Sequence, residues 1–202
     1  IGMNIKSILA LLLIFVAPLL KAQEEDSIVN ALRKTVSYTN LSMAITDSQQ
    51  VVKLVLKGHK FTEVPKEIFA LEKLEYLDLS NNKFTTLPKE ISQLKNLKVL
   101  ILEGNKLKDL PVELYQLSKL RVLNVGKNEL YYLSSKIGDL SSLVQLDIWS
   151  NNIAEFPEEI TKLSNLKVVD MRSISLNDEQ QADILYLLPN VKVLLDVSCH
   201  CN

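Results

Sequence analysis

The C-terminal tail brings three potential soft metal ligands into a row, Cys199-His200-Cys201. Two thiolates and an imidazole suit Zn(II) or Cu(I), but a closed site needs a further strong ligand from elsewhere. The other histidine, His59, lies far away in the sequence. In an exported protein the two thiols could instead form a disulfide, with each other or with another chain. We expect a solvated tail, no bound metal and no cofactor, with these three residues as the candidates for a metal site.

The sequence shows no comparable grouping of residues that could form a catalytic site. A nucleophile needs a base within hydrogen-bond reach, yet His59 falls in a structural column described below and His200 in the tail. Acidic pairs such as Glu158-Glu159 are typical of a solvated face. The five glycines form no phosphate-binding loop. We predict that the chain is not an enzyme.

Residue types that commonly bind partners are found around the single tryptophan. Trp149 and Arg172 are 23 residues apart, and so are Asp147 and Asp170. An aromatic ring beside a guanidinium and carboxylates is typical of a binding anchor. Whether these side chains share a surface depends on the elements that carry them, and the common spacing indicates what those elements are.

The spacing is the period of an internal repeat. From Val51 onward, a pattern close to L-x-x-L-x-L-x-x-N-x-L-x-x-L-P-x-x-I-x-x-L-x-x recurs about six times. A fixed period of roughly 20 to 50 residues indicates a solenoid. Counting Val51 as position 1, the apolar positions 1, 4 and 6 alternate on one face of a short strand. One strand per repeat predicts a parallel sheet with these side chains in the core.

Position 9 predicts a ladder of asparagines at the point where each strand ends. An amide side chain can satisfy backbone donors and acceptors that the inward turn would otherwise leave buried and unpaired. The column is interrupted at both ends, by His59 and Ile174, where terminal repeats are expected to be atypical. The ladder residues are Asn82, Asn105, Asn128 and Asn151.

The second half of each repeat predicts a short helical turn. Apolar residues at positions 14, 18 and 21 approximate one helical face. Position 15 is a proline in four repeats and Ser134 in one, and proline fits the first turn of a helix. A glutamate follows two residues after each proline, near the positive end of that turn. The fold class is therefore α/β, a right-handed solenoid with a parallel concave sheet and short convex helices or turns.

These columns resemble the leucine-rich repeat family. The 23-residue length and the L-P-x-x-I-x-x-L outer arm are similar to secreted repeat proteins of bacteria such as Leptospira and Bacteroidetes, and animal Ras-suppressor-type repeats share the arm. The resemblance covers residues 51–188. It implies a surface that binds a partner, although function taken from a fold alone is an analogy.

The two ends depart from the pattern. Residues 1–22 contain Lys6, an apolar run from Ile8 to Leu20 and a small residue at Ala22, which predicts a cleaved secretory signal peptide. The run is shorter than the roughly 20 residues that span a bilayer, so we expect no stable membrane span.

Two caps are expected to close the array. Residues 23–50 predict a helical cap, with Ile28, Leu32 and Val36 on one helix face. Residues 51–188 hold the repeats, and residues 189–202 predict a capping strand and the tail.

The concave face is formed by strand positions 2, 3, 5, 7 and 8, whose side chains point away from the core. On it we predict a partner-binding surface, with a local cation–π pair between the tryptophan and Arg172 as the alternative. Apolar residues at Val99, Ile101, Val122 and Val168 would need covering if they were contiguous. The predicted binding residues are Trp149, Arg172, Asp147, Asp170, Asn124, Arg121 and Tyr76.

The function predicted from these features is non-catalytic binding of a protein partner outside the cytoplasm. A net charge of −1 offers no basic footprint for nucleic acid. Recognition of a glycan or other surface polymer is the first alternative, and an accessory domain of a larger system is the second. We expect an exported monomer, located in the periplasm, on the cell surface or in the medium.

Overall fold

A computed structural model describes residues 27–196 of the chain. The predicted signal peptide and the Cys199-His200-Cys201 group lie outside these residues. The described residues divide into two units between Thr35 and Val36. None of the helices in the described part is long and apolar enough to cross a membrane. No cluster of three or more metal-capable side chains occurs within residues 27–196.

The first unit contributes a helix, α1, over residues 27–34. Val29 and Leu32 are its buried apolar residues. The predicted third member of its face, Val36, is 85% exposed. That part of the prediction is wrong because the helix ends before Val36 and the chain becomes extended.

Seven short strands form one parallel sheet, in chain order. The first six begin at the same position of successive repeats, so residues one period apart pair directly, as Leu54 does with Leu77. The strands are β1 (Lys53–Val55), β2 (Tyr76–Asp78), β3 (Val99–Ile101), β4 (Val122–Asn124), β5 (Gln145–Asp147), β6 (Val168–Asp170) and β7 (Lys192–Leu194). The predicted solenoid with a parallel sheet is confirmed.

Five 3₁₀ helices form the opposite side, at Lys66–Ala70, Lys89–Gln93, Val112–Gln116, Ser135–Asp139 and Glu158–Lys162. The prolines precede these helices by one residue instead of lying in the first turn. Each proline carbonyl accepts the first intrahelical bond, as Pro111 does from the N–H of Leu114 at 3.0 Å. Ser134 does so with its own carbonyl and also accepts the N–H of Lys136 on its hydroxyl.

The core consists of the repeated apolar columns, and the asparagines lie at its edge. Asn105 shows the arrangement: its amide nitrogen donates to the carbonyls of Leu102, at 2.8 Å, and Leu79, at 3.2 Å. Its Oδ1 accepts the N–H of Phe84 at 3.2 Å. The other three asparagines repeat these bonds one period apart. Each side chain therefore connects its own repeat to the preceding one.

Position 8 has a fixed backbone conformation that the residue types do not reveal. All six of its residues have positive φ, between 54° and 75°. Two are glycines, but Lys127, Ser150 and Ser173 are not, and the left-handed region costs such residues roughly 1 kcal/mol. The residues are Gly58, Asn81, Gly104, Lys127, Ser150 and Ser173. This conformation turns the chain from the strand toward the asparagine ladder.

The ends of the second unit differ from its repeats. Tyr38 forms a parallel bridge with Leu54, and helix α2 (Leu41–Thr46) buries Ala44 in the core. At the other end, helix α3 (Asp178–Leu187) replaces the 3₁₀ helix. It begins with a capping box, in which the side chains of Asn177 and Gln180 bond each other's backbone N–H.

Candidate binding surface

The position-7 residues form a row across the concave face. The strands end two residues earlier, but backbone bonds continue: Lys127 donates to the carbonyl of Trp149 at 2.7 Å, and Ser150 donates to that of Arg172 at 2.8 Å. Gly126, Trp149 and Arg172 are therefore neighbours on successive repeats, about 5 Å apart along the sheet.

The indole of Trp149 lies against Gly126. A Cβ atom added to Gly126 would overlap the indole nitrogen and lie 2.8 Å from Cε2. Trp149 is half-buried as a result, with one ring face on the backbone of the preceding repeat. The glycine provides the space in which the ring lies.

Arg172 is held by Asp170, the last residue of β6, and not by the tryptophan. Its Nε donates to Oδ1 at 2.9 Å and its Nη2 to Oδ2 at 2.6 Å. The cation–π contact on the described concave face joins Lys53 to Tyr76 instead, at 4.7 Å. These hydrogen bonds from Arg172 lower the pKa of Asp170, whose side chain is 10% exposed, below its ordinary value of 3.8. The Arg172 side chain as a whole remains 56% exposed.

Two carboxylates are paired directly opposite each other, Asp147 on β5 and Asp170 on β6. Like charges in this register repel. Hydrogen-bond donors offset the repulsion: Gln145 donates its amide to both oxygens of Asp147, at 3.1 and 2.8 Å, and the cationic Arg172 pairs with Asp170. The acidic pair is thus stabilised from within the chain.

Position 5 also has a structural role. The side chains of Asp78, Asn124 and Asp170 each accept the backbone N–H two residues later, at 2.9 to 3.2 Å. Such bonds are typical of Asp and Asn where a strand turns. Asn124 additionally donates its amide to Glu103 at 3.1 Å.

The predicted binding residues fall into two groups. The structure brings together Trp149, Arg172, Asp147, Asp170 and Asn124, which lie on β4 to β6 or just after them; we call these five residues the Trp149 patch. Tyr76 lies on β2, three strand spacings or about 14 Å from the strand that precedes Trp149. It is 8% exposed, and the amino group of Lys53 lies over its ring. Arg121 precedes β4, at the opposite strand end from Asn124, and is half-buried.

The apolar residues of this face are largely covered. Val99 is 2% exposed and Val122 is 4% exposed, while Ile101 and Val168 are half-buried. Neighbouring side chains on the same sheet therefore suffice to bury the first two, and an external partner is not needed for that purpose.

Three residues of the surface were missed by the sequence reasoning. Gln145 and Glu103 bind patch members, and Gly126 provides the space for the indole. Gly126 had a usable signal, because it directly precedes Trp149 in the same column and has no side chain to exclude the indole. The partners of Gln145 and Glu103 depend on side-chain rotamers, which a column of residue types does not specify.

The sequence profile of a family described as "Leucine-rich repeat region" matches residues 50–202. No curated protein matches the chain. Among solved structures, a leucine-rich repeat protein of Leptospira interrogans is 26% identical with a TM-score of 0.53, over 80% of this chain and 58% of that one.

Two further structures come from other organisms. Internalin C2 of Listeria monocytogenes is 25% identical with a TM-score of 0.63, over 78% of this chain and 66% of that one. The ectodomain of the Arabidopsis thaliana receptor kinase GASSHO1/SCHENGEN3, solved in complex with CASPARIAN STRIP INTEGRITY FACTOR 2, is 29% identical with a TM-score of 0.61. The match covers 79% of this chain and 19% of the ectodomain. The chain thus spans less than two thirds of each of these proteins.

Proposed function

This chain belongs to the leucine-rich repeat family, and we propose that it is a non-catalytic module that binds another protein through the Trp149 patch, outside the cytoplasm. Its fold is that of a protein-interaction module, shared with internalin C2 and a receptor ectodomain. The patch, the location and the partner are the proposed parts.

The observation that carries the proposal is the placement of Trp149 on Gly126. A half-buried ring with one face on the backbone loses little conformational entropy when a partner covers its other face. Tryptophan and arginine are the residue types most enriched among those that dominate binding energy. Arg172 is likewise fixed by two hydrogen bonds while more than half of its side chain remains exposed.

The charges around the ring favour a protein partner. The half-buried carboxylate of Asp147 lies opposite the Asp170–Arg172 pair, whose arginine side chain is exposed, so both signs of charge are offered within a few ångströms. A partner surface that carries mixed charges around an apolar contact matches this arrangement. Glycan recognition is the competing function, because a ring face beside carboxylates can also stack on a sugar.

Location outside the cytoplasm rests on two observations. Residues 1–22 have the composition of a secretory signal, and internalin C2 and the plant ectodomain share the repeat fold. Expression of the full reading frame in a bacterium, followed by fractionation and mass spectrometry of the N-terminus, tests this part. We expect the chain to begin after Ala22; a chain retained in the cytoplasm with its N-terminus intact would contradict it.

Affinity capture tests the binding function. The chain, its Trp149→Ala variant and its Val112→Ala variant are immobilised and exposed to envelope extracts and host material. Val112 is 59% exposed on the 3₁₀ side and is a matched apolar control. We expect a protein that the chain and the Val112→Ala variant retain and the Trp149→Ala variant releases. Equal retention by all three chains would contradict the proposed site, and retention of glycans alone would contradict the proposed partner class.

A further inference from the structure

A second surface occurs where the regular repeats end. A cleft of about 580 Å³ lies between helix α3 and the segment from Ala154 to Glu158, which leads into the last 3₁₀ helix. It forms because α3, a ten-residue α-helix, follows a different path from the five-residue 3₁₀ helices stacked before it. One bond connects the two walls, from the amide of Gln180 to the carbonyl of Ala154 at 2.9 Å.

The floor of the cleft is apolar because a core column remains uncovered there. Position 14 is buried in the first four repeats, at 5 to 8% exposure, but Phe156 in the fifth is only half-buried. Ile184 and Leu187 of α3 complete the floor. In a longer array the next repeat would cover Phe156.

The rim of the cleft is acidic. Glu155, Glu158 and Asp183 line it, and its lining includes no lysine or arginine. Helix α3 itself carries Asp178, Glu179 and Asp183 and no basic residue. These carboxylates attract cationic groups and disfavour a symmetric contact with the same cleft of a second copy, which would present the same charges.

Exposed tyrosines extend the surface beyond the cleft. Tyr186, on the rim, is 86% exposed. Tyr131 and Tyr132, on the adjacent repeat, are 56% and 54% exposed. Their segment lies beside the cleft wall, since Asn152 donates its N–H to the carbonyl of Leu130 at 2.9 Å. Tyrosine faces bind lysine and arginine by cation–π attraction as well as by apolar contact.

We propose that this cleft docks a basic segment of a partner protein, with apolar side chains on Phe156 and arginine or lysine between Tyr186 and the rim carboxylates. The volume fits a few side chains of such a segment. The inference is independent of the Trp149 patch, because the two surfaces share no residue and lie on different parts of the repeat.

Fluorescence anisotropy with a labelled octapeptide of alternating arginine and leucine tests the proposal on the full chain. We expect Tyr186→Ala and the double variant Glu155→Gln/Asp183→Asn each to weaken binding at least tenfold. The control double variant Glu67→Gln/Glu72→Gln removes two exposed carboxylates in the first repeat and should bind within twofold of the unchanged chain. Trp149→Ala should also leave this peptide's affinity unchanged, which separates this test from that of the proposed function.

Three outcomes would overturn the proposal. The first is no measurable binding of the peptide. The second is an equal loss in the Glu67→Gln/Glu72→Gln control, which would indicate attraction to net charge alone. The third is binding of a neutral oligosaccharide, such as cellohexaose, at Tyr186 without binding of the peptide. Circular dichroism of each variant checks that the exposed substitutions leave the fold intact.

Discussion

In each regular strand of the sheet, the middle residue points into the core and its two neighbours point to the concave face. The inward column is leucine in five repeats and valine in the sixth, and each is 0% exposed. The outward column at position 5 is mixed: it holds Val55, Ile101 and Asn124 as well as three aspartates. Adjacent residues of one strand therefore follow different constraints.

The difference has a physical cause. An inward side chain packs against the equivalent side chains of the repeats before and after it, so one residue type is favoured throughout the array. An outward side chain needs only to satisfy its local hydrogen bonds. The repeated columns build the scaffold, and the variable ones distinguish this chain from other solenoids.

The largest difference between the faces is expected from two substitutions on β5. Leu146→Ala should destabilise the chain by about 3 kcal/mol, because it leaves a cavity in a fully buried column. Asp147→Ala, on the next residue, should cost less than about 1 kcal/mol. Urea unfolding measures both, and comparable losses would contradict the distinction between the faces.

The asparagine ladder connects successive repeats at the edge of the core, and its effect should come second. Asn128→Ala removes the acceptor for the buried N–H of Leu107 and the donor to the carbonyls of Leu102 and Val125. We expect a loss of about 2 kcal/mol in the free energy of unfolding. The exposed Asn152 is the matched control, and Asn152→Ala should be nearly neutral. An Asn128→Ala variant with unchanged stability would show that other groups bind the backbone N–H and carbonyls of this turn.

A smaller effect is expected where the concave face depends on a single small residue. Gly126→Ala should displace the indole of Trp149 at a cost of about 1 kcal/mol and shift its emission to longer wavelength. Trp149 is the only tryptophan, so the signal is unambiguous. In a Trp149→Ala background, Gly126→Ala should leave the free energy of unfolding unchanged. The same loss of stability in both backgrounds would show that the added methyl group clashes with a group other than the indole.

The smallest effect concerns pH. The pKa of Asp170 is lowered by its hydrogen bonds with Arg172, so the charged pair stabilises the chain above the unfolded value near 3.8. The contribution, at most about 1 kcal/mol, is lost as pH falls through the lower folded pKa. Asp170→Asn should therefore be less stable than the unchanged chain at pH 7, and the difference should vanish in strong acid. A pH-independent difference would contradict this cause.

Periodicity explains how much could be predicted from the sequence. The columns of leucine, asparagine and proline recur every 23 residues, so each repeat supports the assignment of the others and the solenoid follows. The outward pairs, such as Gln145 with Asp147, occur once and depend on rotamers. The left-handed backbone at position 8 was hidden because Lys127 and Ser150 occupy it as well as glycine.

The ends were the least predictable part. The predicted helical face of α1 included Val36, which the extended path toward the bridge at Tyr38 leaves exposed. The cleft beside α3 was also not predicted, because it arises from the departure of one helix from the repeat. Non-repeated segments lack the redundancy on which the rest of the interpretation depends.

The most direct test of the Trp149 patch is the dissociation constant of a captured protein partner, measured by calorimetry for the chain and for Trp149→Ala. We predict that the variant binds at least tenfold more weakly, a loss of about 1.4 kcal/mol or more, with an unchanged urea midpoint. Equal dissociation constants for the two chains would contradict the proposal that this patch is the binding surface.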